Sequence, residues 1–224
     1  IKTVAGSTIG LYLISLVNGE RTFSYWRNKS AATFLGQNVD DVENAMKKQD
    51  MIYFSGITLA ILDQNSRKNL FSCLKSARRA GKKIAFDPNL RPKLWNNKKE
   101  MCDVIMSGAN LSDIILPSFE DEATWFSDSD PMSTLARYQN VGAETVVVKN
   151  AGDPVSFWSQ HETGTYLVES VEKIIDSTAA GDSFNAEILV GLLREIPLAD
   201  AINNGASLAK KVLMGQGALV KSSI

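Results

Sequence analysis

Leu70-Phe71-Ser72-Cys73-Leu74-Lys75-Ser76-Ala77-Arg78-Arg79-Ala80-Gly81-Lys82-Lys83-Ile84-Ala85-Phe86-Asp87-Pro88-Asn89-Leu90-Arg91-Pro92 carries two structural periods in succession. Leu70, Leu74 and Ala77 recur at helical spacing, and Gly81 stands where a helix closes on a C′ residue. Residues 83–86 then form a short apolar run of strand type. That run empties into a loop stiffened by Pro88 and Pro92, which is expected to present Asp87, Asn89 and Arg91. The same texture recurs at 51–54, 114–116 and 145–148, with further strands predicted at 155–158 and 165–168 and two closing helices at about 180–194 and 198–214. Such alternation predicts an α/β fold of βαβ units around a parallel sheet with right-handed crossovers.

Upstream of this core the pattern differs. Leu11-Tyr12-Leu13-Ile14-Ser15-Leu16 and Arg21-Thr22-Phe23-Ser24-Tyr25-Trp26 are β-prone runs flanking Asn18-Gly19, the residues of a type I′ turn. Residues 1–34 are therefore expected to form a small β lid and residues 35–224 the α/β core. The chain opens Ile1-Lys2-Thr3-Val4 without an initiator Met, which reads as a sequence with an upstream segment missing.

Ligands of an open parallel sheet bind beyond the carboxyl ends of its strands. Three such ends are markedly polar: 87–92, Pro117-Ser118-Phe119-Glu120-Asp121-Glu122, and Lys149-Asn150-Ala151-Gly152-Asp153. A basic fork, a carboxylate cluster and a Lys/Gly loop are thus expected on one rim, although strand-end loops are also polar simply because they are wet.

Asp176-Ser177-Thr178-Ala179-Ala180-Gly181-Asp182-Ser183-Phe184-Asn185 points to chemistry. Small residues Ala179, Ala180 and Gly181 precede a segment in which Phe184, Ile188 and Leu192 recur at helical spacing, so backbone N–H groups are expected to emerge from a helix N-terminus. Exposed amides and the positive end of the helix dipole suit a transferring phosphoryl group. Asp182, in the first turn, can accept a substrate hydroxyl proton. Its bland alternative is a helix-start carboxylate worth about 0.3–1 kcal/mol.

Composition excludes several other classes. Twenty-four Lys and Arg against 25 Asp and Glu give a net charge of −1, which argues against a nucleic-acid binder. A content of 44% hydrophobic and 22% charged residues is that of a globular chain. No apolar run reaches the roughly 18–20 residues of a membrane span, so no membrane partner is expected and the cytoplasm is the default. Cys73 and Cys102 lack metal or redox spacing and read as buried thiols. No G-x-x-x-x-G-K-[ST] and no strand-following G-x-G-x-x-G occurs, which excludes a P-loop and the usual dinucleotide fingerprint. His161, the only histidine, lies in a turn-like tract and reads as a surface residue, not a hydrolase base.

Residues 176–185 resemble the carboxy-terminal signature of the ribokinase-like, or PfkB, carbohydrate kinases, Asp-Thr-x-(Gly/Ala)-Ala-Gly-Asp-x-Phe. Here Ser177 replaces Thr, Ala179 stands where Gly is commonest, and Glu187 stands where a small residue often follows. The likeness extends over nearly the whole chain to the sugar-acid branch of the family, through Gly10-Leu11-Tyr12 and residues 19–27, 55–62 and 86–95. The resemblance implies a ribokinase-like three-layer α/β/α fold with a mainly parallel central sheet and a small β lid. It implies ATP with Mg²⁺ and transfer of phosphate to the terminal hydroxyl of 2-keto-3-deoxygluconate. By the same resemblance Tyr12, Tyr25 and Arg27 contact the sugar acid, and Arg91 faces substrate and phosphate. Asn89, Arg91, Lys149, Gly152 and the amides of Ala179, Ala180 and Gly181 line the nucleotide, and Asp182 is the catalytic base.

The family's Asn-x-x-Glu feature falls at residues 118–121, with Ser118 replacing Asn, so the metal ligands stay unassigned. Nothing before Thr8 resembles the family's glycine-rich opening Gly-Gly-(Asp/Asn)-x-x-Asn. A carboxylated sugar calls for a planar bidentate cation, which Arg27 or Arg91 supplies. Trp26 either joins the pocket or packs the hairpin, because alternate strand residues face opposite sides. The competing readings are a kinase for a neutral sugar of the fructose or ribose type, and a non-catalytic sugar- or nucleotide-binding module. The hairpin's apolar residues suggest a homodimer through the lid.

Overall fold

The computed structural model describes residues 3–17 and 20–220. The chain divides into two compact units, one made of Ile1–Ile84 and Leu90–Leu111, the other of Ala85–Asn89 and Ser112–Ile224.

The first unit starts with an antiparallel pair, β1 (Leu11–Val17) and β2 (Glu20–Trp26), in a register that sets Tyr12 opposite Tyr25 and Leu11 opposite Trp26. Asn18 and Gly19, the expected turn, lie outside the described residues. The unit continues through α1 (Val39–Lys47), β3 (Met51–Ser55), α2 (Gly56–Ile61), α3 (Gln64–Arg79), the start of β4 (Lys83–Asp87) and α4 (Lys98–Ala109). Its helices begin on polar caps: Asn38, Asp63 and Asn97 each accept a first-turn N–H.

α3 ends as its sequence predicts. Gly81 takes φ +83°, its N–H donates to Arg78 O at 3.0 Å, and Lys82 N–H donates to Ala77 O at 3.1 Å. This Schellman arrangement satisfies two orphan carbonyls and turns the chain into β4, whose Lys83 N–H donates to Asp50 O just before β3. Leu70, Leu74 and Ala77 form the buried stripe of α3.

The second unit contains the rest of β4, then β5 (Ile114–Ile115), α5 (Phe119–Phe126), α6 (Pro131–Gln139), β6 (Thr145–Val148), β7 (Val155–Ser159), β8 (Thr163–Tyr166), α7 (Ala180–Leu193) and α8 (Leu198–Leu213). The strand order is β3-β4-β5-β6-β7-β8. Pairs β4·β5 and β5·β6 are parallel, as expected, and Phe86, Ile115 and Val146 to Val148 are fully buried. Full burial on both faces explains why these strands read as continuous apolar runs.

The sheet is mainly parallel, as the resemblance implies, and ends in an antiparallel extension, β6·β7 and β7·β8. Connections 149–154 and 160–162 are too short for a parallel crossover, which takes a dozen or more residues. The last strand sits two residues earlier than expected, at Thr163–Tyr166, because the turn before it is tight: Ser159 N–H donates to Glu162 O at 2.7 Å.

His161 is exposed in that turn. Cys73 is buried, and burial with the charge of Glu43 raises its thiol pKa. Cys102 is only half-buried, short of the buried thiol expected. Among the described residues no helix is long and apolar enough to cross a membrane.

Candidate active site

The start of α7 is built by its own sequence. Asp176 Oδ1 accepts from Thr178 N–H at 2.9 Å and from Thr178 Oγ1 at 2.7 Å, and Asp176 Oδ2 accepts from Gly217 N–H at 3.1 Å. This turn delivers the chain to Ala179, the N-cap, in left-handed conformation with φ +64° and ψ +10°. That geometry explains why Gly is the commonest residue at this point of the signature. An alanine methyl offers no cap, so Ala179 caps no amide of the first turn, and Ala180 N–H donates to Ser177 O at 3.4 Å. The space in front is open: a Cβ on Gly181 would meet nothing within 4 Å. Asp182 stands exposed in the first turn, while Phe184 and Ile188 bury the inner face.

Two strand ends in the same unit converge beside it. Lys149 follows β6, and its backbone pairs with the lead into α5: Lys149 N–H donates to Pro117 O at 2.9 Å and Phe119 N–H donates to Lys149 O at 2.8 Å. Its ammonium lies 3.3 Å from Asp87 Oδ2 and 3.0 Å from Asn185 Oδ1. Asp87 is not presented by its loop as expected. It is 5% exposed, and its partners are Lys149, the Asn185 amide at 2.8 Å and the Asn89 backbone N–H at 3.2 Å. Asn185, on the inner face of α7, received no role from sequence, because its partners are distant in the chain.

Asn89 takes φ +33°, and its side-chain Oδ1 is buried with no hydrogen-bond partner among the described residues. An orphaned buried acceptor costs about 1–3 kcal/mol, which an N–H of a ligand such as a nucleotide would remove. Gly152 is exposed in the turn after β6, next to Ala151 at φ +49°, and a Cβ there would meet nothing within 4 Å.

The carboxylate cluster at residues 120–122 is divided. Glu120 is exposed and Asp121 half-buried, but Glu122 is turned fully inward, contrary to its expected place on the rim. Glu122 accepts from Arg137 at 2.6 Å and from the Tyr138 hydroxyl at 3.0 Å, and Arg137 also binds Asp128 at 2.6 Å. Burial pushes the Glu122 carboxyl up to about 7, against the downward pull of Arg137. Among the described residues no group of three or more His, Cys, Asp or Glu converges on a metal position.

The first unit holds the other predicted residues. Tyr12 and Tyr25, cross-strand partners, have ring centroids 6.4 Å apart, and both are partly exposed. The Arg27 guanidinium carbon lies 4.4 Å from the Tyr25 centroid, and Arg27 Nε is buried with no hydrogen-bond partner among the described residues. Gly10 makes room for it: a Cβ there would lie 3.2 Å from Arg27 Cβ. Trp26 opposes Leu11 on the other face of the hairpin and is exposed, which takes it away from the tyrosines. Arg91 is exposed at φ +44°, the N-cap of a short 3₁₀ turn at Pro92–Leu94.

The sequence profile of the pfkB family carbohydrate kinases matches residues 1–223. The chain belongs to this family. This pfkB kinase is 38% identical over 216 residues to the 2-dehydro-3-deoxygluconokinase of Haemophilus influenzae, an alignment covering 94% of this chain and 69% of that protein. Among solved structures it resembles a PfkB protein from Polaromonas at a TM-score of 0.81 and 25% identity, covering 94% of this chain and 69% of that one. It also shares its fold with an ATP-bound fructokinase from Xylella fastidiosa, at a TM-score of 0.77 and 22% identity, covering 96% and 70%. As a pfkB kinase the chain has the expected ribokinase-like architecture, a mainly parallel sheet flanked by helices with a small antiparallel sheet.

Proposed function

We propose that this carbohydrate kinase transfers the γ-phosphoryl group of ATP to the terminal hydroxyl of 2-keto-3-deoxygluconate (2-dehydro-3-deoxygluconate), giving 2-keto-3-deoxy-6-phosphogluconate and ADP. The observation that carries the sugar-acid reading is Arg27, whose guanidinium is held over Tyr25 with Nε buried and unpartnered among the described residues. A substrate carboxylate satisfies that donor and neutralises its charge; an oxygen of a neutral sugar can accept the hydrogen bond but leaves the cation without a counter-charge. The likeness to the Haemophilus influenzae kinase supports the same substrate.

In this reading Asp182 accepts the hydroxyl proton as the sugar oxygen forms its bond to the γ-phosphorus. The bond from that phosphorus to the β,γ-bridging oxygen breaks and ADP departs. Amides of Ala179, Ala180 and Gly181, at a helix start that the Ala179 side chain does not cap, meet the charge on the transferring group. Asn89, Lys149 and Gly152 hold the nucleotide, Arg91 serves substrate and phosphate, and Tyr12 and Tyr25 contact the sugar. Mg²⁺ neutralises phosphate charge when bound. With no carboxylate cluster preformed among the described residues, the site suits an ion carried by the phosphates and water.

Residues 1–34 serve as a lid element and 35–224 as the core. Leu11, Leu13 and Trp26, exposed on the hairpin face away from the tyrosines, suit a homodimer through the lid. Use of ATP suits a cytoplasmic enzyme.

The test is an ADP-coupled assay with the sugar acid, fructose and ribose in parallel, with folding checked by circular dichroism. Turnover confined to the sugar acid is expected. A folded protein that turns over a neutral sugar equally well, or none, refutes the assignment.

A further inference from the structure

Asp87 is a junction within the second unit. Its Oδ2 accepts from Asn185 Nδ2 at 2.8 Å and lies 3.3 Å from Lys149 Nζ, while its Oδ1 accepts from Asn89 N–H at 3.2 Å. Asn185 closes the ring by accepting from Lys149 Nζ at 3.0 Å through its own Oδ1. The arrangement uses a distinctive property of the side-chain amide, which donates to a carboxylate and accepts from an ammonium at the same time. Asn185 is 1% exposed, so neither partner is replaced by bulk water.

Each spoke leads to a different part of the site. Asn185 lies on α7 one turn beyond Asp182. Lys149 ends β6, and Asn89 carries the orphaned Oδ1. The bond from Asn89 N–H back to Asp87 is an Asx-type turn, which stabilises the left-handed backbone that aims the Asn89 side chain.

We propose that Asp87 and Asn185 are positioning residues for phosphoryl transfer, fixing Lys149 and Asn89 for the nucleotide and the α7 first turn for Asp182. This rests on the roles given above to Asn89, Lys149 and Asp182. Neither residue touches substrate; each acts through the groups it holds.

The experiment is an exchange of the two groups. Asp87→Asn leaves the part-buried Lys149 ammonium without a carboxylate, and Asn185→Asp sets two carboxylates against each other. The double variant Asp87→Asn/Asn185→Asp restores one carboxylate, one amide and one ammonium in the same ring. Each single change is expected to lower kcat by about 10²-fold, the scale of an ångström-level misplacement, and the exchange to recover at least ten-fold of that loss.

ADP affinity, measured by titration calorimetry without any sugar, is expected to weaken in each single variant and return in the exchange. That readout decides the claim even if the sugar is misidentified, in which case wild type binds ADP but leaves the sugar acid untouched. Asn185→Ala, which adds no charge, serves where a charged variant fails to fold. Unchanged ADP affinity and kcat in folded single variants, or an exchange no better than the poorer single, overturns the proposal.

Discussion

The Arg27 guanidinium lies over the Tyr25 ring, 4.4 Å from its centroid, immediately after β2. The contact orients a planar cation without using its hydrogen-bond donors, because the ring face attracts charge and not N–H direction. Nε is buried and unpartnered among the described residues. In the function proposed above, a cation held this way would bind the substrate carboxylate at small entropic cost.

Arg27→Ala is accordingly expected to lower kcat/KM for the sugar acid by about 10- to 150-fold, with Arg27→Lys intermediate because it keeps charge but loses the planar fork. A neutral analogue, itself a poor substrate, should be affected little. Steady-state kinetics on both substrates, with thermal melting as a folding control, provide the check. Equal losses on both would make Arg27 a support of the hairpin and move carboxylate recognition to Arg91.

Asp182→Asn retains the size and place of the side chain in the first turn of α7 and removes its proton acceptor. Turnover should fall by about 10²–10⁴-fold while the nucleotide dissociation constant barely moves. Near wild-type turnover would reduce Asp182 to a helix-start residue.

Ala179 occupies a left-handed backbone that costs a non-glycine residue about 1–2 kcal/mol. Glycine relieves this strain but loses about 0.4–1 kcal/mol through the freer unfolded chain. Ala179→Gly should therefore stabilise the protein by about 0.5–1 kcal/mol, seen as a small rise in Tm. A lower Tm would show that the methyl contributes packing worth more than the strain.

Glu122 makes stability depend on pH. Its carboxyl is raised to about 7 in the folded protein from the ordinary glutamate value of 4.5, so between those values the native state binds the extra proton. Stability contributed by this group is full below about pH 4.5 and is lost as pH rises through 7, by about 3 kcal/mol over the interval. Glu122→Gln should flatten that part of the Tm-against-pH curve, since Arg137 keeps Asp128 as its charge partner. Parallel curves for the two proteins would mean that Glu122 stays ionised throughout.

Local chemistry was legible in the residues themselves. The Schellman end at Gly81, the apolar runs of β3 to β6 and the start of α7 at Ala180 follow from spacing, side-chain type and backbone preference over a few residues. Strand alternation likewise offered two faces for Tyr25 and Trp26, but only the cross-strand register assigned Tyr12 to the first and Leu11 to the second. The antiparallel β7 and β8 became evident from connection length and pairing together.

What only the tertiary structure decided lies in contacts without a local signal. Asp87 looks like any polar residue after a strand, yet it is buried because partners 62 and 98 residues away, Lys149 and Asn185, offset its desolvation. Glu122 looked like one of three rim acids, and is internal because Arg137 and Tyr138 meet it from α6. A carboxylate's burial depends on whether a compensating donor arrives from elsewhere in the fold. Sequence patterns over a single helix or strand carry no information on that arrival, whereas the packing of distant elements determines it.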